Sequence, residues 1–212
     1  MLRLTNRDIS CIELIAQQGV VRLDTLKLHL QTQNLKIDDR SLRHISSRWV
    51  EMDLVGKERM LANCPSIIWP TRNAIKLANL PTTNKEKFGR PSFSTLHHDL
   101  AVSRVRIEYQ LHKASWTCER ILKNNFVSEF LADGLAEIGD NRILVEVDRT
   151  AKDPQRLLQI MRSHARHPEI TAVDYWTTNE LFRFIQSYAA LVNSELKKEI
   201  IRTFLLPKEV NL

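Results

Sequence analysis

Apolar residues recur at helical spacing in three successive stretches near the start of the chain, then give way to short apolar runs bounded by turn residues. Thr5 or Asn6 caps a first helix carrying Ile9, Ile12, Leu14, Ile15 and Ala16, and Gly19 ends it. A second helix runs from Leu23 to Leu30 on Leu23, Leu26, Leu28 and Leu30. Beyond the polar loop Gln31 to Lys36, Asp38 is the expected N-cap of a third helix reaching about Asp53, with Leu42, Ile45, Trp49 and Met52 facing the core. Its opposite side carries Arg40, Arg43, His44, Ser47 and Arg48. The runs Leu54 to Arg59 and Ser66 to Trp69 are spaced to pair as a hairpin, and Thr71 caps a closing helix from Arg72 to Leu80.

The stretch Pro81 to Ser92 is polar, bracketed by prolines and free of periodicity, so a linker over 81–93 is expected between residues 1–80 and residues 94–212. The pattern then predicts a helix from Leu96 to His112 and strands over Trp116 to Leu122, Phe130 to Ile138 and Arg142 to Asp148. A helix from Pro154 to Arg166, a strand from Thr171 to Thr177 and a helix from Glu180 to Leu191 follow, while the tail Glu195 to Leu206 suits either helix or strand. Helices and strands in this order place the chain in the α+β class.

Composition adds one asymmetry to this picture. The chain has 212 residues, 43% hydrophobic and 26% charged, enough to build a sizeable core. Its net charge of +6 lies at one end: residues 1–95 hold 15 Lys/Arg against 9 Asp/Glu, and residues 96–212 hold 16 of each. A localised basic excess is the footprint expected for a polyanion such as DNA. On the third helix, arginine forks suit guanine edges, while Ser and His suit phosphates or base edges. Arg59, with Asn63 at the hairpin tip, is positioned for phosphate or the minor groove. The competing reading is a solvated basic surface, and Lys85, Lys87 and Arg90 read as solvated linker charges.

Other chemistry is thinly represented. Cys11, Cys64 and Cys118 are far apart and support neither a disulfide framework nor a zinc site. The opening Met1 to Asn6 lacks a signal-peptide core and no apolar run reaches about eighteen residues, so a cytoplasmic protein without a membrane partner is expected. No phosphate-binding glycine loop or nucleotide fingerprint is present, so no nucleotide cofactor is expected. Tyr109, Tyr175 and Tyr188 sit at core-like positions, which argues against a covalent phosphotyrosine route, and His97, His98, His164 and His167 lack metal-ligand spacing.

The acids are the exception. Asp133 precedes Gly134, and Glu146 and Asp148 share one side of a strand whose other side carries Ile143, Val145 and Val147. Turns through Gly134 and through Gly139-Asp140-Asn141 bring Asp133 beside Glu146. Paired carboxylates suit Mg²⁺ or Mn²⁺ at a phosphodiester. The alternative is an ordinary turn aspartate with two solvated or arginine-paired acids.

Residues 4–80 resemble the winged helix-turn-helix of many bacterial regulators. The segment from Leu96 to about Arg166 resembles the replication-relaxation family of plasmids and integrative elements. That family includes relaxases of one plasmid-mobilisation class and joins a winged helix to a PD-(D/E)xK nuclease-like fold. The matching residues are Leu96-His97-His98-Asp99-Leu100-Ala101-Val102-Ser103, Trp116 with Glu119, Asp133-Gly134, and Leu144-Val145-Glu146-Val147-Asp148. The resemblance implies Asp133 and Glu146 as metal ligands helped by the Val147 carbonyl, with Glu119 as an outer acid and Asp148 as a further acid of the site. Two departures stand out: Ala132 replaces the usual proline, and Asp148 occupies the place of the catalytic lysine. Ile160 lies where relatives draw a basic group from the next helix, and Arg149, Lys152 and Arg156 are the nearby cations.

The resemblance therefore implies a double-stranded DNA-binding protein of a mobile genetic element, acting in replication, mobilisation or transcriptional control, with a catalytically degenerate second domain. The alternative is a metal-dependent nickase or relaxase using Asp133 and Glu146. A winged helix that reads a palindrome normally works as a dimer, and Glu180 to Leu191 is the segment expected to supply a homodimer interface.

Overall fold

The computed structural model describes residues 3–60, 63–81, 89–125 and 129–207. Most of the expected linker, residues 82–88, and the hairpin tip at residues 61–62 lie outside the described residues. The chain is a mixed α+β protein that divides into two compact units, Met1–Ile107 and Glu108–Asn211.

In the first unit α1 (Asn6–Gln18) starts at a capping box in which Thr5 and Asp8 satisfy each other's backbone N–H groups. It ends at Gly19, whose φ of +78° lets the chain turn back while its N–H bonds Ile15. The next two residues form β1 (Val21–Arg22), leading directly into α2 (Leu23–Thr32). Helix α3 (Asp39–Glu51) begins at Asp38, whose carboxylate accepts from Ser41 N at 2.8 Å. Strands β2 (Val55–Glu58) and β3 (Ile67–Pro70) pair antiparallel, with Gly56 opposite Trp69, and β1 adds to the free side of β3. The sheet order is thus β1-β3-β2, one strand more than the hairpin expected from the sequence. Thr71 caps α4 (Arg72–Leu77), which stops short of Leu80 because Asn79 takes a left-handed φ of +50°.

Leu14, Ile15, Leu26, Leu30, Leu42 and Trp49 build the core of this unit against Ile68. On the other side of the sheet Ile67 packs with Val20, Leu96 and Leu100, the last two from α5 (Phe93–Leu111).

The second unit holds a five-stranded sheet of order β4-β5-β6-β7-β8. Strand β4 (Ser115–Cys118) is followed at once by α6 (Glu119–Asn125), so the strand expected to reach Leu122 ends early. Glu119 and Lys123 form an i,i+4 ion pair at 2.8 Å, a spacing that favours helix over strand. Strands β5 (Gly134–Ile138) and β6 (Asn141–Asp148) join through a two-residue turn with Gly139 at φ +56°.

Gly134 is no turn, contrary to the sequence reading: it opens β5 opposite Cys118 and Val145. Its lack of a side chain has a different cause, since a Cβ there would lie 2.1 Å from the Trp116 ring. Helix α7 (Pro154–Ala165) carries the chain to β7 (Ala172–Thr177), parallel to β6, and α8 (Asn179–Leu196) carries it to β8 (Ile201–Leu205), parallel to β7. The ambiguous tail is therefore a strand. Lys197 ends α8 in the left-handed region, and Asn193 then holds the backbone of Ile200 and Ile201.

Leu144, Val173 and Tyr175 pack under Leu157 and Met161 of α7 and under Ile185, Ala189 and Val192 of α8. The buried residues of α8 thus pack inside its own unit, while Leu191 stays 45% exposed. No helix among the described residues is long and apolar enough to cross a membrane.

Candidate functional site

Burial of Leu42, Ile45, Ser46 and Trp49 sets the rotation of α3 and turns Arg40, Arg43, His44 and Ser47 outward, where all four are exposed. Lys57 on β2 reaches across to this helix: its Nζ donates to Ser46 Oγ at 2.8 Å, Ser47 Oγ at 3.3 Å and the Arg43 carbonyl at 3.3 Å. Burial lowers the Lys57 ammonium below its ordinary value, and the positive charges of Arg43 and Arg59 push it the same way. The three cations therefore share one positive field. Arg59, exposed just past β2, and Arg43 line a cavity of about 240 Å³ with Asp39, Asn63, Cys64 and Ser66. Lys57 was not singled out by the sequence because its alternation on a short strand gives no hint that it turns toward α3.

Arg48 leaves the exposed set. Its Nη2 donates to Asp8 Oδ2 at 2.6 Å, and Trp49 Nε1 donates to Asp8 Oδ1 at 3.2 Å. Asp8 is fully buried and 40 residues away in the chain, so periodicity on α3 alone could not reveal this pairing. The guanidinium holds α3 to α1 and is not offered to a ligand.

In the second unit Gly134 stands opposite Val145, and Asp133, just before it, lies close enough to Glu146 to act on its charge. Asp133 Oδ2 accepts from Val147 N at 2.7 Å. Glu146 and Asp148, however, lie on the side of β6 that α7 covers, and they are 5% and 3% exposed. Neither is solvated, in contrast to the sequence alternative. Their cation is Lys152, from the loop between β6 and α7: its Nζ lies 3.5 Å from Glu146 Oε2 and forms an ion pair with Asp148 Oδ1. The other Glu146 oxygen is met by His164 Nε2 of α7 at 2.9 Å.

Burial raises the Glu146 carboxyl, and the nearby Asp133 adds to this, against the opposing pull of the His164 hydrogen bond and Lys152. Burial works against the Lys152 charge, yet Glu146 and Asp148 outweigh it and hold the ammonium above its ordinary value. Tyr175, opposite Glu146 on β7, is wholly buried, and its hydroxyl meets no hydrogen-bond partner among the described residues. Burial first, then the three acids, keep that phenol protonated. Glu119 follows Cys118, which is paired with Gly134, and so begins at the same end of the sheet as Asp133; its partner there is Lys123.

A Mg²⁺ or Mn²⁺ ion here would need the Asp133 and Glu146 carboxylates turned toward it, with water or phosphate oxygens in its remaining positions. Here both Glu146 oxygens and Asp133 Oδ2 are already engaged, and no group of three or more metal-ligating side chains assembles among the described residues.

A further buried acid was not anticipated. Asp174, 2% exposed, accepts Tyr109 Oη at 2.5 Å and the Arg202 guanidinium at 2.7 and 2.9 Å, beside a cavity of about 420 Å³. The three residues lie on different elements, and only the folded sheet brings them together.

No family model, characterised protein or solved structure matches this chain.

Proposed function

We propose that this chain binds double-stranded DNA through α3 and the β2–β3 hairpin, serving a mobile genetic element in replication, mobilisation or transcriptional control. The observation that carries the reading is the exposed face of Arg40, Arg43, His44 and Ser47 standing beside the cations Lys57 and Arg59. The order α1-β1-α2-α3-β2-β3 is that of a winged helix, in which the third helix enters the major groove and the hairpin flanks it. From α5 onward the order is helix, strand, short helix, two antiparallel strands, helix and parallel strand, which resembles the PD-(D/E)xK fold with Asp133 and Glu146 as its candidate acids. Its carboxylates are spent on Lys152, His164 and backbone, which supports a structural role for that unit.

Fluorescence anisotropy with a labelled duplex tests the reading. Arg40→Ala and Arg43→Ala each weaken binding by about 1–3 kcal/mol where they contact bases, and affinity falls steeply with added salt. Equal affinity in parent and double variant rejects it.

A second reading, a metal-dependent nickase or relaxase, is favoured by one observation: Lys152 supplies a cationic nitrogen 3.5 Å from Glu146, paired also with Asp148, near where the lysine missing from position 148 would act. Supercoiled DNA incubated with the protein and Mn²⁺ is expected to stay closed while its band shift persists. Open circles that disappear in Glu146→Ala would establish the nickase in its place.

A further inference from the structure

Strand β8 is an edge of the five-stranded sheet, paired with β7 alone. In a parallel ladder alternate residues direct both backbone groups to the same side. The bonds from Val173 N to Ile200 O and from Leu206 N to Thr177 O turn the even-numbered residues toward β7. Ile201, Thr203 and Leu205 therefore aim their N–H and C=O groups outward. Ile201 is capped, its N–H donating to Asn193 Oδ1 at 2.9 Å and its carbonyl accepting from Asn193 Nδ2 at 2.8 Å. The outward N–H and C=O groups of Thr203 and Leu205 meet no partner among the described residues.

Side chains reinforce the same edge. Leu205 is 48% exposed. The side chains of Ile201, Thr203 and Leu205 share the side of the sheet that α8 covers, because alternate residues of a strand face alternate sides. A groove of about 610 Å³ runs beside Ile201 and Thr203, lined by Ala189 and Ala190 and also by the charged Lys197, Lys198, Glu199 and Arg202. Thr203 and Leu205 carry no charge, so the usual device for blunting an edge is absent at its centre.

We propose that a second copy of this chain occupies the edge, antiparallel, joining two five-stranded sheets into one continuous sheet. The argument is self-complementarity. With the two-fold axis at Phe204, Thr203 faces Leu205 of the second copy, and Leu205 faces its Thr203. Both become hydrogen-bonded pairs, which use every outward group of these two residues and leave none over. Phe204 meets Phe204 in the close, non-hydrogen-bonded position, an aromatic pair across the axis. Arg202 stands opposite Leu206, so no like charges oppose each other. Each Leu205 side chain enters the groove of the other copy, against Ala189 and Ala190. Of α8, the interface expected from the sequence, Ile185, Ala189 and Val192 are buried under its own sheet.

Sedimentation velocity on the full chain, from dilute to concentrated samples, tests the proposal. The parent sediments as a dimer. Thr203→Pro removes an outward donor and spares the β7 ladder, and Leu205→Lys puts a charge into the groove. Both run as monomers with the parent's circular dichroism, whereas Leu111→Lys, the same change at another exposed leucine, stays dimeric. In a Cys64→Ser background, Phe204→Cys forms a disulfide-linked dimer under mild oxidation. A parent that is monomeric throughout overturns the proposal. So does a dimer indifferent to both edge changes, or one whose Phe204→Cys variant does not cross-link.

Discussion

Lys152→Met lowers the unfolding free energy by about 3–5 kcal/mol, read as an earlier urea midpoint in far-ultraviolet circular dichroism. Methionine keeps the length of the stem and removes only the ammonium. What it leaves behind is Glu146 and Asp148, almost wholly buried and close to Asp133, without the ammonium that meets both of them. Adding Glu146→Gln and Asp148→Asn to the same chain removes the charges that Lys152 answers and restores most of the loss. The pH dependence follows from the direction of the shift. Lys152 is held above 10.5, so its stabilising contribution is fully present below that value and is lost as pH rises through its higher folded value. The triple variant lacks this alkaline loss. A Lys152→Met protein as stable as the parent would reject the account.

Asp8→Ala is expected to cost a similar amount, about 3–5 kcal/mol, measured the same way. This carboxylate receives Thr5 N and Thr5 Oγ1 at 2.9 Å each, Arg48 at 2.6 Å and Trp49 Nε1 at 3.2 Å. Removing it breaks the capping box of α1 and strands the Arg48 guanidinium and the Trp49 N–H in the seam between α1 and α3. Burial alone raises the Asp8 carboxyl. The bonds from Thr5, the Arg48 charge and the Trp49 bond outweigh it and hold it below 3.8. Its contribution is therefore present above pH 3.8 and lost as pH falls through its lower folded value. The parent's stability declines over that acid window, while Asp8→Ala, already without the contribution, shows no such decline from this group.

These two clusters mark the boundary of what periodicity reveals. The caps at Thr5, Asp38 and Thr71, the end of α1 at Gly19 and the hairpin of β2 and β3 were legible because each depends on residues adjacent in the chain. The nearness of Asp133 to Glu146 was expected on other grounds, from turns through Gly134 and Gly139-Asp140-Asn141, whereas Gly134 lies in β5 and the turn is Gly139-Asp140 alone. Strand β1 was not legible, because two residues are too short to show alternation and the strand exists only through Ile67 and Ile68. The burial of the acidic side of β6 was hidden for a related reason. Alternation of acid and aliphatic residues reads as one wet and one dry face, and nothing local tells that α7 and α8 cover the acids or that His164 and Lys152 answer them. The outward side of α3 was read correctly for Arg40, Arg43, His44 and Ser47, and Arg48 was misread because its partner lies on another helix.

The cysteines have a practical consequence. Cys11 and Cys118 are buried, and burial with the neighbouring Asp8 pushes the Cys11 thiol up to about 12, whereas Cys64 is only half-buried, beside Arg43 and Arg59. A maleimide dye added to the folded protein thus attaches at one position without engineering, next to the surface assigned to the duplex, where its emission can report docking directly.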